Sequence, residues 1–184
     1  MNERTLSTAD LRLQIPSLKA GDRVLLSGTI YTARDAAHKR LFALLDAGEA
    51  LPFELQDALI YYAGPTPAQA GMAVGSCGPT TASRMDGFAP RLLDLGLVGM
   101  IGKGERNDAV CDAIVRNGAI YFCAVGGAGA LIANAIISAE EIAFAELGCE
   151  SVKRMQVRNL PLTVAIDACG GNIFKEGRTA YQSI

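Results

Sequence analysis

Three short segments carry side chains able to hold a small anion. The first, Ser27 to His38, reads SGTIYTARDAAH and puts Arg34 in the first turn of an expected helix. Positive charge there works against the helix dipole, so something is expected to compensate it. A bound carboxylate would do so; the plainer alternative is a solvated arginine paired with Asp35. His38 stands one turn further on, where a histidine more often supports a neighbour than performs chemistry. The second segment, Gly75 to Asp86, reads GSCGPTTASRMD. Thr80 and Arg84 are four apart, so on a helical turn they share a face. A hydroxyl beside a forked guanidinium is a good carboxylate receptor. The alternative is a helix cap plus a surface arginine, with one of Thr80 and Thr81 capping and the other free. The third is Gly102-Lys103-Gly104, where flanking glycines let a lysine approach an anion closely. It is not a Walker loop, because GxxxxGK[ST] is absent.

Each of these segments follows an expected strand or tight loop and opens near a helix N-terminus. Such ends present free backbone N–H groups and partial positive charge. A fourth cluster, Gly126-Gly127-Ala128-Gly129, invites a dinucleotide reading, but GxGxxG fails because its last glycine position holds Ile132. Close helix–strand packing accounts for those glycines.

The elements that position these loops alternate. Val24 to Tyr31 reads as a strand, and Thr32 stands where a helix cap belongs, with Asp35 three positions on. Ala37, Leu41, Leu44 and Leu45 share a helical face that Gly48 should end. Ala58 to Ala63 is a second strand, and Thr80 or Thr81 caps a short helix. Pro90 opens another helix, which Gly96 ends. Leu97 to Ile101 is a strand, and Asn107 caps a helix ending near Asn117-Gly118. Further strands are expected at Ile120 to Val125, Glu141 to Ala145 and Leu162 to Asp167, with a helix over Ala130 to Ile137 and a turn at Gly170-Gly171-Asn172. This alternation predicts a single α/β domain over residues 1–184 with a largely parallel sheet, mixed where the chain ends are richer in β.

Composition removes several function classes. With 17 basic and 19 acidic residues the chain lacks the basic field that nonspecific nucleic-acid binding needs. Ala119 to Ala139 carries no charge, but Gly126, Gly127 and Gly129 interrupt it, so a strand, turn and helix explain it without a membrane. The polar first ten residues predict no signal peptide. Five dispersed cysteines, without a CxxC pair, fit a reducing, cytoplasmic setting. One histidine makes a self-contained zinc site unexpected, and the cysteine spacing does not match compact iron–sulfur motifs.

Taken together, SGTIYTARDAAHKRL, YYAGPTPA, GPTTASRMDGFAPRLL, MIGKG, YFCAVGGAGALIA and LPLTVAIDACGGNIF resemble the β subunit, or C-terminal domain, of class I iron–sulfur fumarate hydratases and L-tartrate dehydratases. The resemblance runs from about Gly21 to near the end, and TARDAAH followed by GPTTxxRMD is its specific part. It implies a swivelling β/β/α fold with helices flanking the sheet. It also implies a partner α subunit that carries a [4Fe–4S] cluster through three cysteines, none of it bound by this chain alone, and an assembly of two αβ pairs. By the same resemblance Thr80 is the base, and Arg34, Arg84 and Lys103 bind a dicarboxylate, with Thr81 beside them. His38 and Asp35 are expected to support them from behind. A threonine hydroxyl is a poor base unless activated, which the family assigns to an aspartate on the partner. The forms of TARDAAH and YYAGPTPA favour fumarate and malate over tartrate or a methylated dicarboxylate. A nonenzymatic anion- or nucleotide-binding module is the competing class.

Overall fold

Burial in the computed structural model, which describes residues 3–181, splits along each central strand. Strands β1 (Glu3–Ser7), β2 (Arg23–Thr32), β3 (Leu59–Tyr61), β4 (Gly99–Gly102) and β5 (Ile120–Cys123) run parallel, each pairing with the next. β6 (Ile136–Ala143) and β7 (Val152–Ile166) follow, and β7 is antiparallel to β2, β5 and β6. The sheet is therefore mixed. Because β7 pairs with both β5 and β2, the strands β2-β3-β4-β5-β7 close on themselves.

Closure gives the chain two cores, since side chains alternate between faces with period two. Leu26, Ile30, Leu59, Tyr61, Ile101, Phe122 and Val164 fill one. Ile60, Tyr62, Met100 and Tyr121, one residue out of phase, pack in the other with Leu41, Leu92 and Ile114 from the covering helices. Those helices include α2 (Asp35–Ala47), α3 (Ala89–Asp94) and α4 (Asp108–Arg116), with α1 at Leu11–Gln14, α5 at Gly129–Ala133 and α6 at Ile173–Tyr181. α2 ends on Gly48 in the left-handed conformation (φ 69°), and Asn107 caps α4 by accepting from Val110 N–H at 2.9 Å.

Several expectations need correction. Thr32 is the last residue of β2 and does not cap α2; the N-cap is Arg34, and Thr32 instead donates to the Ser151 carbonyl and accepts from Lys153 N–H. The apolar run expected as a helix over Ala130 to Ile137 splits into the short α5 and the start of β6, because Ile136 pairs with Val157. A short apolar run does not by its period distinguish helix from strand. β7 begins ten residues before the expected Leu162, having absorbed Asn159 and Pro161, which look like strand breakers. A register shift opposite Leu26 and Gly28, with Asn159 at φ 51°, lets the strand pass them. The expected strand Glu141 to Ala145 is the tail of β6. β1, α1 and α6 lie outside the elements expected from the sequence. No helix among the described residues is long and apolar enough to cross a membrane.

Candidate active site

The parallel strands end at one rim. Pairing aligns Thr32 with Tyr61, Tyr61 with Ile101, and Ile101 with Phe122. Arg34 and Lys103 each lie two residues beyond this row, so separate loops deliver them to the same edge. In α/β sheets that edge, beyond the carboxyl ends of the strands, is where ligands bind.

Thr80 and Thr81 reach it by wedging between two strand ends. Above the Tyr61–Ile101 pair, Thr80 N–H donates to the Tyr62 carbonyl at 2.6 Å and Lys103 N–H donates to the Thr80 carbonyl at 3.2 Å. Pro79 bridges Ala63, and Thr81 bridges Lys103. Thr80 is thus extended and half-buried, and Arg84 lies in a separate 3-10 turn, Ala82–Met85. The expectation that Thr80 and Arg84 share a helical face is therefore corrected. The competing backbone bonds to β3 and β4 hold Thr80 out of the helix, and Thr81, at the turn's N-cap position, makes no side-chain cap bond.

Arg84 joins the group through α2. Its Nε lies 3.0 Å from Asp35 Oδ1, a hydrogen bond, and its Nη2 lies 2.8 Å from Oδ2, an ion pair without hydrogen-bond alignment. Arg34 does not pair with Asp35, the plain alternative raised by the sequence. Its Nη2 is 3.3 Å from Glu150 Oε1, and its Nε is buried with no hydrogen-bond partner among the described residues. A charged donor left so is costly, and a carboxylate oxygen would satisfy it. Lys103 extends toward Gly126, where an added Cβ would lie 3.6 Å from Lys103 Cδ and 4.0 Å from Nζ. Thr81 and Arg84 are exposed, and Arg34, Thr80 and Lys103 are half-buried. A cleft of about 370 Å³ is lined in part by Pro65, Gly148, Cys149 and Lys153, and none of Arg34, Thr80, Thr81, Arg84 and Lys103 lines it.

His38 is fully buried beneath Arg34. Its Nδ1 lies 2.8 Å from the Arg34 carbonyl, and since a carbonyl only accepts, Nδ1 carries the hydrogen. Burial then pushes the imidazole pKa down to about 4, so the ring is neutral near pH 7. The local sequence does not mark Glu150 as a partner of Arg34, nor Arg106 and Asp86 as a pair. Arg106, with its side chain wholly inaccessible, donates from Nε to Asp86 Oδ1 at 2.6 Å, and Asp86 Oδ2 accepts from Asn107 N–H at 2.8 Å. The guanidinium also lies over the rings of Tyr62 and Tyr121, 5.3 and 5.1 Å from their centroids. This pair ties the turn bearing Arg84 to the start of α4. Its only sequence signal is the Asp of RMD with Arg106 twenty residues on, too loose a spacing to act upon.

The described residues contain no group of three or more histidines, cysteines, aspartates or glutamates able to hold a metal. Cys77 is buried and its thiol is pushed up to about 12 by that burial, far from a ready thiolate ligand. Among the described residues, no set of side chains is grouped so as to fit an iron–sulfur cluster.

Fold and rim together define an α/β protein whose strand-end edge carries Arg34, Thr80, Thr81 and Lys103, with Arg84 tied to Asp35 beside them, residue types suited to an anion. Known proteins make the assignment specific. The profile of the fumarase C-terminus matches residues 2–177. The chain is 37% identical over 169 residues to the anaerobic class I fumarate hydratase of Escherichia coli strain K12, covering 91% of this chain but 31% of that enzyme. It is 36% identical over 168 residues to fumarate hydratase 2 of Leishmania major, covering 30% of that protein. Over 177 residues it is 37% identical to a Methanocaldococcus jannaschii protein provisionally named L(+)-tartrate dehydratase subunit beta, covering 92% of this chain and 91% of that one. The chain belongs to the fumarase C-terminus family. It spans about a third of the length of the fumarate hydratases it matches.

Proposed function

We propose that this chain, as one unit over residues 1–184, is the β subunit of an iron–sulfur hydro-lyase that reversibly hydrates fumarate to L-malate. The carrying observation is that Arg34, Thr80 and Lys103 meet at one rim from three different loops, with Arg84 tied to the residue after Arg34. Two forked guanidiniums and a point-charge ammonium suit a dianion with a carboxylate at each end. Holding both ends fixes the double bond in place, and positioning of this kind supplies much of catalysis. In the dehydrating direction Thr80 Oγ1 takes the proton from the carbon next to one carboxylate. The C–H electron pair becomes the double bond as hydroxide leaves the adjacent carbon.

Because no cluster site is grouped among the described residues, we place the [4Fe–4S] centre on a partner α subunit in the cytoplasm. That partner also supplies the group that activates Thr80. The half-exposed rim is consistent with this, since a dry site requires a second body to cover it. The subunit name of the Methanocaldococcus jannaschii relative supports a division into two chains. Two αβ pairs are the proposed assembly.

Co-expression with the cluster-bearing chain should give oxygen-sensitive hydration of fumarate. Arg84→Ala should lower kcat/KM by about 30-fold or more, the scale of one charge-assisted contact. Unchanged turnover would remove Arg84 from the site. The tartrate relative, matched nearly end to end, favours L-tartrate as a second reading. Comparing kcat/KM for malate, tartrate and a methylated dicarboxylate decides between them.

A further inference from the structure

We infer that Glu150 is a positioning residue for Arg34, delivered by a kinked clasp from Phe144 to Glu150; this rests on the hydro-lyase reading above. Glu150 binds at two points at once. Oε1 lies 3.3 Å from Arg34 Nη2, and Oε2 accepts from Ala36 N–H, in the first turn of α2, at 3.2 Å. One carboxylate therefore occupies the α2 N-terminus and one corner of the guanidinium. Gly64 lies close to both: a Cβ there would lie 2.9 Å from Arg34 Nη1, 3.2 Å from its Cδ and 3.1 Å from the Cys149 carbonyl of the clasp. Arg34 is thus packed against the Gly64 main chain at Nη1 and Cδ and paired with the clasp's Glu150 at Nη2.

The clasp is built to hold this place. Phe144 is in the left-handed region (φ 59°, ψ 47°), and Gly148 (φ 60°, ψ −117°) kinks the 3-10 segment Ala145–Glu150. Glycine takes such a conformation freely, but a left-handed phenylalanine persists only where its surroundings over-determine it. Arg40 of α2 pairs with Glu146 and stacks 4.8 Å over Phe144. Lys153 Nζ donates to the Gly148 carbonyl at 3.1 Å. Thr32, at the end of β2, donates to the Ser151 carbonyl at 3.3 Å and accepts from Lys153 N–H at 3.0 Å. The end of β2, the start of α2 and the entry to β7 are therefore locked together around one guanidinium. An arginine has many rotamers, and fixing one corner of its plane lowers the cost of presenting the rest to a substrate carboxylate.

The test uses this chain assembled with its cluster-bearing partner and fumarate as the probe. Glu150→Ala should raise KM about tenfold, the factor for one modest charge-assisted contact, and change kcat less. Gly64→Ala, which crowds the guanidinium at Nη1 and Cδ, should raise KM in the same direction. In an Arg34→Lys background Glu150→Ala should add little. A second readout needs no turnover: the Arg34 Nε–H signal in ¹⁵N NMR of this chain, assigned by its loss in Arg34→Lys, should exchange faster in Glu150→Ala. An unchanged or lower KM in Glu150→Ala, with Arg34→Ala still impaired, overturns the positioning role; a lower KM would mean that Glu150 competes with substrate. If Arg34→Ala leaves KM unchanged, or the assembly does not hydrate fumarate, the hydro-lyase reading fails instead, and the NMR exchange rate alone decides Glu150.

Discussion

Replacing Asp86 with alanine would leave the Arg106 guanidinium buried with its counter-charge removed. Arg106 has no side-chain exposure, and Asp86 retains 9%. The 2.6 Å contact to Nε and the 2.8 Å contact from Asn107 N–H would both be lost. The two aromatic faces at 5.3 and 5.1 Å remain, each worth up to about 2 kcal/mol when desolvated, but they do not replace a carboxylate. Breaking a buried pair in this way costs about 3–5 kcal/mol. At this chain length that lowers Tm by roughly 10 °C. The assay is urea unfolding of wild type, Asp86→Ala, Arg106→Met and the double variant. The double variant should be more stable than the sum of the single losses implies, by about 2 kcal/mol or more, since removing both charges leaves none stranded. A loss below about 1 kcal/mol for Asp86→Ala, or strict additivity, refutes the account. Asp86 and Arg106 also frame the turn bearing Arg84, so activity should fall in Asp86→Ala even at temperatures where it stays folded.

His38 gives a pH test that a chain with a single histidine makes unambiguous. Its folded pKa is depressed to about 4 by burial while the unfolded value stays near 6.5, so the unfolded state binds the proton first. Stability should therefore fall as pH drops from about 6.5 to about 4, by about 3 kcal/mol, and His38→Gln should flatten that part of the curve. The imidazole NMR signal should not titrate above pH 5; a midpoint near 6.5 in the folded protein would remove the buried, neutral role. Asp167 accepts from Ala20 N–H at 2.9 Å, Cys169 N–H at 2.8 Å and Gly171 N–H at 3.0 Å. Burial would raise its carboxyl, but these donors and Lys19 outweigh it and hold the pKa below the usual range. Asp167→Ala should cost about 2–3 kcal/mol in urea unfolding, with Asn recovering part, and an unchanged midpoint would contradict this.

The residue types and much of the order of elements were legible from the chain alone. Arg34, Thr80, Arg84 and Lys103 stand out because glycine, proline and hydroxyl residues surround cations, a local pattern. Asn107 and Gly48 were read correctly as helix ends because capping depends on a few adjacent residues. Long-range pairing was not legible. β7 runs through Asn159 and Pro161 because β2 offers a matching irregularity at Leu26 to Gly28, and no local window contains both. The same pairing turns an expected helix end at Ile136 into an edge strand against Val157. Thr80 reads as a helix cap until β3 and β4 present the Tyr62 carbonyl and the Lys103 N–H to it. Glu150 lies 116 residues from Arg34, and Arg106 lies 20 from Asp86, so both partnerships depend on how separate segments fold against one another. The chain by itself determines which side chains can bind an anion, because that depends on residue chemistry and nearby spacing. Which carboxylate each cation meets, and from which side, is decided by the closed sheet, because those contacts depend on where distant segments cross.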